Sequence, residues 1–249
     1  MTTKERSALF NGEMVRSILA GTKTKTRRPV KVRGGLDFIG GRGEENDPGC
    51  WGYFFDGPDH HGYMVLERGL NERHDHGRIS IPNPLGEPGD RLRLLSSWAT
   101  DARYDGIKPT ELPRPGDPTE IGLSTLWTRW MSDEKPAWCG KLRPGRFLPS
   151  TLRWVMPIAE VTGVRVERVQ DISEADARAE GIVETRLGMA DTLVYHTGTW
   201  PAPKASATAI DAFAALWRDI YGAESWERND WVWVTEFRRV ETQNERGAA

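Results

Sequence analysis

Apolar and polar positions recur along this chain with two different periods. From Phe10 the spacing is helical: Met14, Val15, Ile18 and Leu19 make one face, and Asn11 stands where an N-cap belongs. Phe10 is placed to staple onto Val15, and Gly21 predicts the stop. Ile210, Phe213, Ala214, Trp217, Ile220 and Tyr221 predict a longer helix closed by Gly222. Between these, Ser173 and Asp176 form a capping-box pattern that opens a short helix ending at Gly181. Period two takes over elsewhere. In the β-branched stretch 154–169, Val164 and Val166 alternate with Arg165 and Glu167. Trp231, Trp233, Thr235 and Phe237 alternate with Val232, Val234 and Glu236, and PGDRLRLLSSW reads as a turn followed by a strand. Two stretches keep neither period. Residues 29–84 read as a long irregular insertion rich in Gly and Asp, and 101–150 is broken by seven prolines. The order helix, strands, helix, helix, strand predicts one compact α+β domain over 5–240, with insertions at 29–84 and 101–150 and a disordered tail at 241–249.

Charge and composition narrow the function classes. The 249 residues carry 34 Lys+Arg against 36 Asp+Glu, a formal charge of −2, which argues against a nucleic-acid binder that works by bulk charge alone. No apolar run approaches the ~18 residues of a membrane helix, and MTTKERSALF lacks the apolar core of a secretory signal. Only Cys50 and Cys139 are present, too few for a disulfide framework or a four-cysteine zinc site. These features predict a cytoplasmic protein with no membrane partner. No phosphate-loop, dinucleotide-binding, nucleophile-elbow or zinc-protease motif occurs, so no cofactor is expected. His60, His61, His74 and His76 lie near Asp59, Asp75 and Cys50, but their spacings match no established metal site and read as a solvated loop. The tryptophans of 217–233 could stack bases, yet their periodicity makes them core.

One segment stands out. From Met14 to Gly35 the chain carries Arg16, Lys23, Lys25, Arg27, Arg28, Lys31 and Arg33 with no acid, inside a mildly acidic protein. Cations after a helix C-terminus complement its dipole, which is a sufficient structural reason for them; phosphate or base contact is the functional alternative.

Gly21-x-Lys23-x-x-Thr26-x-Arg28 resembles the G-x-K-x-x-T-x-R signature of ASCH (activating signal cointegrator homology) domains. PGDRL at 88–92 resembles the family's Gly-Asp turn, VTGVRVERVQDISEADARAEGI at 161–182 its strand–helix unit, and LWRDIYG with WVWVTEFRRV its closing helix and strand. The chain is most similar to the longer ASCH proteins of bacteriophages and prophages. The resemblance implies a PUA-like β-barrel with flanking helices that binds a nucleoside, nucleotide or RNA in a bacterial or phage-infected cytoplasm. Gly21, Lys25, Arg27 and Arg28 would line the cleft, with an aromatic stacking on the base.

Some small bacterial ASCH proteins are amidohydrolases that deacetylate N4-acetylcytidine. By that resemblance Thr26 would be the nucleophile, Lys23 its base and Glu180 an assisting acid, with no metal or cofactor. A threonine hydroxyl needs a base to take its proton, and a lysine acts as one only when burial or a cationic neighbour favours its neutral form. Lys23 would reach Thr26 if the segment turns tightly. The structural alternatives are a turn role for Thr26, a surface lysine at Lys23, and a pairing of Glu180 with Arg178. Ser96 and Ser97 precede Trp98 where phage relatives commonly carry an acid. The two insertions could form a lid, or a docking surface for a protein partner. A non-catalytic RNA or modified-base reader is the other reading of the same signature.

Overall fold

The computed structural model describes residues 3–30, 52–54, 63–66, 79–113, 126–132, 134–188, 191–198 and 205–240. Among these, strands outnumber helices. In chain order the elements are β1 (Glu5–Leu9), α1 (Gly12–Leu19), β2 (Lys25–Pro29), β3 (Gly52–Phe54), β4 (Tyr63–Leu66), β5 (Ile79–Pro82), β6 (Arg91–Leu95) and β7 (Trp98–Thr100). They continue with β8 (Leu126–Thr128), β9 (Ile158–Arg168), α2 (Glu174–Ala179), β10 (Ile182–Leu187), β11 (Thr192–Thr197), α3 (Ala209–Tyr221) and β12 (Trp231–Val240). The protein is thus of mixed α+β class. It divides into two compact units: residues 1–3, 25–90 and 161–237 form the first, and 4–24, 91–160 and 238–249 the second.

In the second unit β1 runs parallel to β6, from Glu5 opposite Arg91 to Leu9 opposite Leu95, and β6 pairs antiparallel with the start of β9. The Arg93 guanidinium forks onto both Glu5 carboxylate oxygens at 2.7 and 2.9 Å and donates to the Arg153 carbonyl at 2.8 Å. Helix α1 begins where the sequence predicts: the Asn11 side chain accepts the Met14 N–H at 2.7 Å, one of the donors a helix start leaves orphaned. It ends through Gly21, whose φ of +76° is open to a residue without Cβ, and the Ser17 carbonyl accepts from both Thr22 and Lys23 N–H at 3.0 Å. Val15 and Ile18 are buried, as the apolar stripe requires. Strands β7 and β8 pair antiparallel with Trp98 opposite Thr128, and Trp98 packs with Leu95, Tyr104, Leu148, Leu152 and Met156.

The first unit is built around the end of the chain. Strand β12 pairs antiparallel with β2, and Val232 and Val234 join Val169, Ile172, Phe213 and Trp217 in the core. Ser173 caps α2 by accepting the Asp176 N–H at 3.1 Å. Two caps start α3. Thr208 accepts from Asp211 N–H at 3.0 Å, and the Glu174 carboxylate of α2 reaches across to the Ala209 and Ile210 N–H groups at 3.0 and 3.3 Å. Strands β10 and β11 form a hairpin from Ile182 opposite Thr197 to Leu187 opposite Thr192. Trp217, Trp231 and Trp233 are buried and Trp226 packs partly buried on the same core, in line with their periodicities.

One expectation needs correction. The stretch 29–84, read as irregular, contains the three-stranded antiparallel sheet β3–β4–β5, with Met64 opposite both Tyr53 and Ile81. Its strands are three or four residues long and flanked by Gly and Asp, too short to register as a period. The histidine cluster with Cys50, and the 241–249 tail, lie outside the described residues. No helix among the described residues is long and apolar enough to cross a membrane.

Candidate functional site

The sequence KTRRP has little intrinsic strand character, yet it forms β2. Pairing makes it a strand: Thr26 lies opposite Thr235, Arg28 opposite Trp233, and Val30 N–H donates to the Trp231 carbonyl at 2.9 Å. Thr26 therefore stands in extended backbone rather than at a turn. Pleating then sorts the side chains. Lys25 and Arg27 point to one face of the strand, Thr26 and Arg28 to the other.

The face with Lys25 and Arg27 holds an ion network. Helix α2 presents Asp176 and, at its C-cap, Glu180; four residues apart, they fall on the same side. Strand β9 adds Arg165 and Glu167, two residues apart and so on one face, and β12 adds Glu236. The Arg27 side chain is 0% exposed. It donates through Nε and Nη2 to Glu167 at 2.8 and 2.5 Å, through Nη2 to Asp176 at 2.9 Å, and through Nη1 to Glu180 at 3.1 Å. Its guanidinium carbon also lies 5.8 Å from the centre of the Phe213 ring. Lys25 Nζ sits 2.7 Å from Asp176 and 3.0 Å from Glu236. Arg165 completes the circuit, donating to Glu167 at 3.0 Å, to Asp176 at 2.5 Å and to Glu236 at 2.6 Å. Gly163 makes room for this: a Cβ there would come within 3.2 Å of a Glu236 carboxylate oxygen.

Opposing effects set the protonation of this network. Burial alone would raise the Asp176 carboxyl, but hydrogen bonds from Lys25 and Arg27 outweigh it and hold Asp176 below its ordinary value. Glu236 follows the same pattern, burial being outweighed by Lys25 and Arg165. Burial would lower Lys25 and Arg165; their carboxylate partners reverse that, and both are raised. Lys25, Arg27 and Arg165 thus interleave with Glu167, Asp176, Glu180 and Glu236 in one network.

The other face carries a cross-strand pair of hydroxyls. The Asn83 amide donates to the Thr235 hydroxyl at 3.1 Å and to the Gly86 carbonyl at 2.8 Å, beside the cross-strand pair Thr26–Thr235. Thr26 is buried and Arg28 half-buried.

The sequence-predicted residues are distributed accordingly. Gly21 and Lys23 belong to the second unit, where Gly21 ends α1 and Lys23 follows it with only 1% of its surface exposed. Lys25, Thr26, Arg27, Arg28 and Glu180 belong to the first. Arg27 and Glu180 are brought together, with Lys25 sharing Arg27's carboxylate partner Asp176. Glu180 pairs with Arg27, while Arg178 donates to the Tyr195 hydroxyl at 3.0 Å. Lys25 and Arg27, expected to touch phosphate, are held by carboxylates of their own unit. Sequence reasoning missed Asp176, Glu167, Arg165, Glu236 and the Asn83–Thr235 pair. The i, i+4 spacing of Asp176 and Glu180 was the available signal.

Among the described residues no group of His, Cys, Asp and Glu side chains is arranged to hold a metal ion. No protein-family model matches the chain, and neither a curated protein nor a solved structure matches it.

Proposed function

We propose that this is an ASCH-like, PUA-like protein that binds a nucleoside, nucleotide or RNA segment in the cytoplasm through the β2 face carrying Thr26 and Arg28. The observation that carries this reading is the sorting of cations on β2. Lys25 and Arg27 are held by carboxylates on one face of β2, whereas Thr26 and Arg28 lie on the other, where Thr26 stands opposite Thr235, whose hydroxyl accepts from the Asn83 amide. A face that carries hydroxyls, an amide and a guanidinium suits a base edge and a phosphate, the two groups a nucleotide presents. Titration calorimetry with cytidine, N4-acetylcytidine and their 5′-monophosphates tests it. Arg28→Ala should weaken monophosphate binding by roughly 10- to 100-fold, as expected for a lost charge-assisted bond. It should leave the bare nucleosides nearly unchanged. Monophosphate binding equal in wild type and variant would refute this assignment.

A second reading, hydrolysis of the amide of an N4-acylated cytosine, is favoured by the burial of Thr26, the nucleophile that this reading names. A hydroxyl nucleophile calls for surroundings from which bulk water is kept. Incubation with N4-acetylcytidine, with chromatography for cytidine, tests it. Turnover by wild type that disappears in Thr26→Ala and in Lys23→Ala supports this reading; a wild type as inert as Thr26→Ala overturns it and leaves the reader function.

A further inference from the structure

Exposed aromatic rings are few among the described residues. Among the described residues, those substantially open to solvent are Trp138 at 41%, Phe147 at 51% and Trp154 at 44%. All three belong to the second unit, within 17 positions of one another. The stretch 135–159 that holds them carries Lys135, Lys141, Arg143, Arg146 and Arg153 and no acid, in a chain whose net charge is −2.

The backbone beneath the rings is fixed. Residues 139–143 run antiparallel along β7, with Cys139 opposite Asp101 and Arg143 opposite Trp98, and Gly140 N–H bonded to the Thr100 carbonyl at 2.8 Å. Gly145 presses against Ser96, where a Cβ would stand 2.7 Å from the carbonyl oxygen, and opens the 3-10 turn Gly145–Phe147. There the Arg146 guanidinium lies 4.7 Å from the Phe147 ring centre. A second turn, Ser150–Val155, buries Leu152 and leaves Trp154 outward.

Much of the positive charge here meets neutral groups. Lys135 donates to the Cys139 and Gly140 carbonyls at 2.6 and 2.8 Å, Arg143 to those of Ile107 and Tyr104 at 3.0 and 2.9 Å, and Arg153 to that of Leu148 at 3.3 Å. The carboxylates alongside are engaged, Asp105 by the Lys141 N–H at 2.8 Å and Asp101 by the Arg103 N–H at 3.0 Å.

We propose that this stretch is a platform for single-stranded nucleic acid. Bases stack on Trp138, Phe147 and Trp154, and Lys141 and Arg146 with their neighbours neutralise the phosphates, the combination of ring and cation that non-sequence-specific strand binders use. The alternative for exposed rings among cations is a lipid surface, but that calls for a helix with a continuous apolar face, and this stretch offers two short 3-10 turns and an edge segment. The platform is independent of the β2 reading above, because it uses none of the same residues.

The test uses the full chain and a fluorescein-labelled oligo-dT of about 20 nucleotides, longer than one typical strand-binding site. Anisotropy should report binding that weakens with salt, with a log–log slope of about −1.4 to −2.8 for two to four neutralised phosphates. Trp138→Ala, Phe147→Ala and Trp154→Ala should each weaken it by about 5- to 100-fold, the usual cost of one lost stacking ring. Phe147→Trp should retain it. These side chains are exposed, so the variants should fold, and circular dichroism checks that they do. No anisotropy change, ring variants that bind like wild type, or anionic phospholipid vesicles that displace the oligonucleotide would each overturn the proposal. Loss of oligonucleotide binding in Arg28→Ala with the ring variants intact would also defeat it, while favouring the β2 site.

Discussion

Replacing Arg27 by methionine keeps an apolar stem of similar length and deletes the guanidinium that three carboxylates share. Glu167 and Asp176 keep their bonds to Arg165, and Asp176 its bond to Lys25, while Glu180, whose side chain is only 4% exposed, loses its contact to Arg27. Breaking a buried pair from one side costs about 3–5 kcal/mol, much of it the burden of the stranded charge. With two cations left nearby the lower figure applies, about 3 kcal/mol. For 150–250 residues that corresponds to a fall in Tm of roughly 6–12 °C by scanning calorimetry. Glu180→Leu alone should cost less, since Arg27 keeps its bonds to Glu167 and Asp176. The double variant Arg27→Met, Glu180→Leu should then lie above the sum of the singles by about 1–3 kcal/mol, the coupling expected of neighbours in one network. Arg27→Lys, which keeps the charge and loses the fork, should fall between. A Tm change below about 2 °C for Arg27→Met, or strictly additive singles, would refute the claim that this network holds the first unit together.

Acid should loosen the same cluster. Because Asp176 and Glu236 titrate below their ordinary values in the fold, their contribution is present above about pH 4 and is lost as pH falls through those lowered values. The urea midpoint should therefore drop steeply below about pH 4, and Asp176→Asn should flatten that slope. An unchanged slope in Asp176→Asn would count against the assignment. Glu174→Ala should remove both bonds that Glu174 makes to the start of α3, leaving the Thr208 cap, and cost about 1–2 kcal/mol in urea unfolding, whereas Glu174→Gln, which keeps an acceptor oxygen, should recover part of it.

The elements that were legible in the sequence carry their instructions locally. Asn11, Ser173 and Gly222 act on backbone within a few residues, and the β-branched and aromatic runs of β9 and β12 favour extended backbone, β12 burying both of its faces over Trp231–Thr235. Strand β2 was not legible, because nothing in KTRRP asks for extended backbone; the request comes from β12 and from carboxylates on β9 and α2. For the same reason Lys25 and Arg27 looked like ligand contacts. A cation and the anion that claims it can stand 140 or more positions apart, as Arg27 and Glu167 do, and spacing arguments do not reach that far. The burial of Lys23 and Thr26 was likewise invisible in a segment whose composition reads as solvated surface.

The pairing of Lys25–Pro29 with Val232–Glu236 has a consequence for synthesis of the protein. On a ribosome adding 5–20 residues per second, β2 emerges roughly 10–40 seconds before the strand that completes it. An apolar segment left waiting that long would be an invitation to clump with other nascent chains. A segment written in lysine, threonine and arginine rests comfortably in water until its mate arrives, and is then claimed by charge.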